Sequence, residues 1–214
     1  MKKIVVTDQE DMTETNNPGE NKAWEILATL DPDDVCRAGV VSYDREAGRY
    51  IVRSFGMDFL VAPHDKSISS ASPGSDVLLT RLGYFFRLSI LWYLVSVKDV
   101  ACSGRLVKLE NVKGGEIFTK GSHSLPLDKV AQKFGKDREG FLNKGTGLGG
   151  EPAEFGDASV KLYPFPRIPA VIMLWLEDEE FPARADLMFD STCGMQLATD
   201  IIWSIAMMCA LVML

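Results

Sequence analysis

A chain of 214 residues with 46% apolar and 25% charged residues has the size and composition of one globular domain that folds without disulfides or metal staples, not of a disordered or fibrous protein. Its formal charge of −7, with no Lys/Arg run interleaved by aromatics, argues against nucleic acid as a partner. Cys36, Cys102, Cys193 and Cys209 lie far apart and form no CxxC pair or Cys/His cluster of zinc or iron–sulfur spacing, so they read as buried free thiols in a reducing cytoplasm.

The start, Met1-Lys2-Lys3-Ile4-Val5-Val6, runs straight into Thr7-Asp8-Gln9-Glu10-Asp11 and lacks the apolar stretch of a secretory signal. Residues 1–22 are polar and acidic and are expected to form a mobile leader ahead of a single domain over 23–214. Trp24, Ile26, Leu27 and Leu30 predict a helix over 22–30, ended by Asp31-Pro32 because the residue before proline avoids helical dihedrals. Short β-branched and aromatic runs at 39–43, 50–55 and 59–61, separated by Gly/Asp turns, predict a three-stranded antiparallel meander. Residues 67–74 are small and polar and read as a loop. Ser75 or Asp76 then caps a long apolar helix reaching about Val97.

Residues 98–123 mix charges with glycines and offer one strand, at 105–109. Pro126 suits the first turn of a helix whose Leu127, Val130, Ala131 and Phe134 recur at helical spacing before Gly135, and Phe141-Leu142 anchors a further turn. Strands follow at 158–163, 170–177 and 183–189, separated by a proline-studded turn at 164–169 and by Asp178-Glu179-Glu180-Phe181-Pro182. Val171 to Leu176 is continuously apolar, as for a strand covered on both faces, and a last helix starts near Met195. The expected fold is α+β: an antiparallel sheet built from two β-meanders, packed against a long central helix and an apolar C-terminal helix. Residues 82–97 and 201–214 both fall short of the ~20 residues that cross a bilayer, so no membrane span is expected and both read as core helices, the second with docking on a partner as its alternative.

Gly145-Thr146-Gly147-Leu148-Gly149-Gly150 satisfies GxGxxG, but a helix precedes it and Glu151-Pro152 follows, so it offers no helix N-terminus to a pyrophosphate and reads as a flexible loop. Asp178, Glu179 and Glu180 crowd three carboxylates into one turn, with Asp157, Asp186 and Asp190 on the flanking strands. Such acids suit a divalent cation or acid–base chemistry, and a solvated hairpin turn is the ordinary alternative. Arg167, stiffened by neighbouring prolines, would pair with one of these acids or receive an anion. His64 and His123 are the only histidines and read as surface residues. Ser191-Thr192-Cys193-Gly194 stands at a strand-to-helix junction without a GxSxG elbow or a later histidine, so helix capping accounts for it.

Taken together, Gly104, Gly114-Gly115, Gly156-Asp157, Phe165-Pro166-Arg167-Ile168-Pro169, Trp175, Asp178-Glu179-Glu180-Phe181-Pro182-Ala183 and Leu187-Met188-Phe189-Asp190 resemble the domain-of-unknown-function 3786 family of anaerobic bacteria and archaea, over nearly all of residues 23–214. The resemblance assigns no activity and no cofactor. It implies an anaerobic, redox-related context, since some members are joined to a four-cysteine iron–sulfur module of the kind seen in corrinoid-linked one-carbon metabolism, a module this sequence does not contain. The resulting expectation is a cytoplasmic accessory or binding module for a small molecule or a redox protein, using Arg167, Asp178, Glu179, Glu180 and Asp190. A metal-assisted hydrolase or lyase built on the same acids, and a structural subunit docking through its last helix, are the competing readings, and homo-oligomerisation stays open.

Overall fold

The computed structural model describes residues 18–116 and 124–214. Helix α1 is Pro18–Leu27, so the chain turns helical earlier than its polar residues suggest. Glu20 is the reason: its carboxylate takes Arg87 of the central helix and the Trp24 indole N–H. Asp31-Pro32 not only stops this segment but starts another. The Asp31 side chain accepts from the Asp33 amide at 2.8 Å, and Pro32 fills the first turn of α2, Pro32–Gly39.

Strands β1 (Ser42–Asp44), β2 (Arg49–Ser54), β3 (Met57–Ala62) and β4 (Ser67–Ser69) form a four-stranded antiparallel meander. The fourth strand occupies part of the expected 67–74 loop; Ile68 pairs opposite Val61, a single apolar contact in a polar run. Next, Val77–Arg81 winds as a π-helix closed by the Leu82 amide on the Val77 carbonyl, and only then does α3, Gly83–Ser96, begin. The expected continuous helix is therefore two segments with different winding.

Strand β5 (Leu106–Lys108) leads, through a 3₁₀ turn at Leu109–Asn111, to helices α4 (Leu127–Phe134) and α5 (Arg138–Gly147). Then come β6 (Glu151–Ala153), β7 (Ala158–Phe165), β8 (Ile168–Trp175) and β9 (Arg184–Asp190), followed by a short α6 (Cys193–Gln196) and α7 (Thr199–Val212). The second sheet is antiparallel in the order β5-β9-β8-β7-β6. The fold is α+β as expected, but its two meanders make two sheets rather than one.

One face of the second sheet, with Val160, Leu162, Ile172, Leu174, Leu187 and Phe189, joins a single apolar core with α3, α4, α5 and α7. On the other face Val171 and Met173 are 3% exposed yet outside that core, with Lys161 and Met188 flanking Val171 at the same register. The central strand is thus buried from Ile168 to Leu174, with helices packed against its inner face. Among the described residues no helix is long and apolar enough to cross a membrane.

Candidate ligand-binding cleft

Arg167 lies in the β7–β8 turn, 14% exposed at its side chain, and closes the end of α2: its Nε donates to the Ala38 carbonyl at 2.9 Å and its guanidinium pairs with Asp99. The Tyr93 hydroxyl holds the same junction, donating to the Gly39 carbonyl at 2.6 Å and accepting the Arg167 amide at 3.2 Å. Asp190 is 2% exposed and accepts from the amides of Ser103, Gly104 and Thr192 and the hydroxyls of Ser103 and Thr192. Burial raises its pKa, but those hydrogen bonds outweigh burial and hold it below the ordinary carboxylate value.

Asp178 accepts the amides of Glu180 and Phe181 in a tight turn, and Glu179 and Glu180 are exposed beside it. Asp157 receives the Leu176 amide and Asp186 pairs with Lys108. Arg167, Asp178 and Asp190 therefore have separate partners, while Glu179 and Glu180 are exposed. Among the described residues, no three His, Cys, Asp or Glu side chains gather to hold a metal. His64 is exposed in the β3–β4 turn, and His123 lies outside the described residues. Cys193 and Cys209 are buried, which pushes their thiols up, Cys193 to about 11.

A cavity lies elsewhere, where three departures from regular backbone meet. Pairing of Ser54 with Met57 leaves Phe55-Gly56 as a two-residue hairpin turn with φ of +47° and +76°. That geometry ordinarily selects Asn-Gly. Phe55 tolerates it because its ring is 1% exposed in the core and its amide donates to the Tyr163 carbonyl at 2.9 Å. Tyr163 is available because the β7–β8 register shifts between Leu162 and Phe165, a bulge that takes its carbonyl out of the ladder. This bond joins the two sheets.

Gly149, at φ +70°, sits against Gly56 so closely that a Cβ on Gly149 would lie 2.6 Å from the Gly56 Cα. The GxGxxG run is thus half helix and half tight turn at a helix-to-strand junction, not the expected flexible loop. Above this glycine contact opens a cleft of about 550 Å³, floored by Phe55, Leu78, Leu148 and Val212. A smaller lobe of about 280 Å³ continues past Gly56 and Gly149 to Glu151 and Tyr163, with Arg53 lining both. Val77 of the π-helix also lines the larger lobe. The larger volume is in the usual range of small-molecule sites.

Lys144 of α5 enters the larger lobe. Burial, with Lys133 and Arg81 nearby, holds its ammonium below the ordinary lysine value. In the smaller lobe the Tyr163 hydroxyl donates to Glu151 at 2.9 Å, and burial followed by this bond raises the phenol. The cleft residues were absent from the sequence-derived set. The available signals were Phe55-Gly56-Met57, a turn between two strong strands, and the glycine run that faces it.

Two antiparallel sheets meeting at a cleft beneath a helix layer define the class: an α+β domain with a preformed cavity at its seam. The chain belongs to the family described as domain of unknown function (DUF3786), whose model matches residues 31–211, from the start of α2 into the last turn of α7. Comparison with curated proteins and with solved structures finds no match.

Proposed function

We propose that the protein is a cytoplasmic binding module that takes a small ligand into the cleft between the Phe55-Gly56 turn, the π-helix and the end of α5. One observation carries this reading: a left-handed Phe, a π-turn and a β-bulge, each a conformation that costs free energy and clusters at functional sites, all border the same cavity or hold its wall. The anaerobic and redox-related setting implied by the family resemblance belongs to this proposal, with a small molecule or a redox protein as the partner. Metal-assisted hydrolysis at Asp178, Glu179 and Glu180 is less well supported, because Asp178 already serves the turn's own amides.

Gly147 provides the test. It lines the cleft, and a Cβ there would meet nothing within 4 Å, so the side chain of Gly147→Leu starts in open space and is expected to narrow the cavity. In a metabolite screen by ¹⁵N NMR, ligands are expected to shift the amides of Gly56, Thr146 and Gly149, and Gly147→Leu is expected to abolish those shifts without lowering thermal stability. Ligands that shift other amides only, or that bind Gly147→Leu equally well, would defeat the proposal.

A second reading, a structural subunit, rests on the outer face of α3 and α7. Tyr84 is 69% exposed there, and Phe85, Leu88, Trp92, Trp203 and Leu211 are part-buried around it, an apolar surface suited to a second copy of the chain.

A further inference from the structure

The charge around the larger lobe runs against that of the whole chain. Asp and Glu outnumber Lys and Arg by 30 to 23, yet among the described residues no acidic side chain lines this lobe, while Lys144 and Arg53 do. Two further cations stand at its α7 end and are occupied. Arg81 donates to the Leu211 carbonyl at 3.1 Å, and Lys133 donates to the carbonyls of Met213 and Leu214 at 3.1 and 2.7 Å, where the negative end of the helix dipole draws them. Arg53 is paired with Asp58 at 3.2 Å on the outside of the sheet. Lys144 differs from all three: it has no hydrogen-bond or ion-pair partner among the described residues, and it stands half-buried among like charges.

A half-buried cation beside other cations is unfavourable unless an anion joins it. The same lobe also has an apolar wall, made by the part-buried side chains of Met57, Val77 and Leu148. We propose that the ligand of this cleft is an anionic amphiphile, with its carboxylate or phosphate head on Lys144 and its apolar body against Met57, Val77 and Leu148. This inference rests on the cleft being a binding site and adds the chemistry of what enters it.

The probes are octanoate, octyl phosphate and the neutral octanamide, followed by calorimetry and by ¹⁵N NMR of the full chain. Both anions are expected to shift the Gly56 and Gly149 amides and to bind at least about tenfold tighter than octanamide, and the tighter of the two identifies the head group. Lys144→Met, with Lys144→Gln as the polar control, is expected to bring the anions down to the affinity of octanamide and to leave octanamide unchanged. Lys129→Met, on the exposed face of α4, is expected to keep the preference. If octanamide binds as tightly as the anions, or if both Lys144 variants keep the tenfold preference, the head-group assignment is overturned while the cleft reading survives. If none of the three compounds moves Gly56 or Gly149, the amphiphile assignment is overturned, and the metabolite screen with Gly147→Leu decides the cleft reading separately.

Discussion

Asp190 ends β9 and anchors the loop that crosses in front of it: one carboxylate satisfies three amides and two hydroxyls contributed by Ser103, Gly104 and Thr192. Replacing it with Ala strands the two buried Thr192 donors and releases the Ser103-Gly104 loop, so Asp190→Ala is expected to lower unfolding free energy by about 2–4 kcal/mol in denaturant titrations. The pH dependence follows from the lowered pKa. Its folded value lies below the unfolded one of about 3.9, so its contribution is fully present above that pH and is lost as pH falls through the folded value. The wild type and Asp190→Asn are therefore expected to differ most near neutrality and to converge below about pH 4; a gap that stays constant with pH would contradict this. The stiffness of Arg167 was legible in the sequence from its neighbouring prolines, and the place of Asp190 from the strand it ends. Their partners were not, because Asp99, Ser103 and Gly104 lie in a stretch without apolar periodicity, and only the tertiary fold brings them to the second sheet.

At the level of elements, the seam depends on two glycines that touch. Gly149→Ala would place a Cβ 2.6 Å from backbone that cannot move aside, at a φ of +70°. It is expected to cost about 2–4 kcal/mol, from the left-handed penalty plus overpacking. Gly147→Ala, two residues earlier with open space around its Cβ, is the control expected to be neutral or stabilising. Equal melting temperatures for the two variants would show that the contact does not matter. The strands of both meanders could be read because each run alternates or is continuously apolar between turn residues. Strands β4 and β6 could not, since Ser67-Ile68-Ser69 and Glu151-Pro152-Ala153 are strands only through their pairing with β3 and β7. The π-turn was equally hidden: from Ser75 onward the residues suit a plain helix, and only packing distinguishes a fifth-residue bond from a fourth. Lys144 became a candidate once α5 was seen to extend to Gly147 and present it to the cavity.

Across the whole molecule, α7 divides its residues by role. Ile201, Ile202, Ile205, Ala206, Met208 and Cys209 are within the core, while Trp203 and Leu211 lie toward the surface beside α3. Trp203 meets Phe85 edge-on at 5.8 Å, so the two helices share one aromatic outer face. Fourteen residues make each helix about 21 Å long. If a second copy covers this face, sedimentation is expected to give a dimer for the wild type and a monomer for Tyr84→Lys, whose charge would stand at the centre of the contact. A wild type that is monomeric at every concentration, or a Tyr84→Lys protein that still dimerises, would reject the structural-subunit reading and leave the cleft untouched.

The bond from the Phe55 amide to the Tyr163 carbonyl turns the junction of the sheets into something solvent can read. Its proton stays shielded while the two halves are together, so its exchange with deuterium records how often they part. A molecule lodged in the cavity would slow that clock at a single amide, which makes Phe55 a built-in gauge of occupancy even before the occupant has a name.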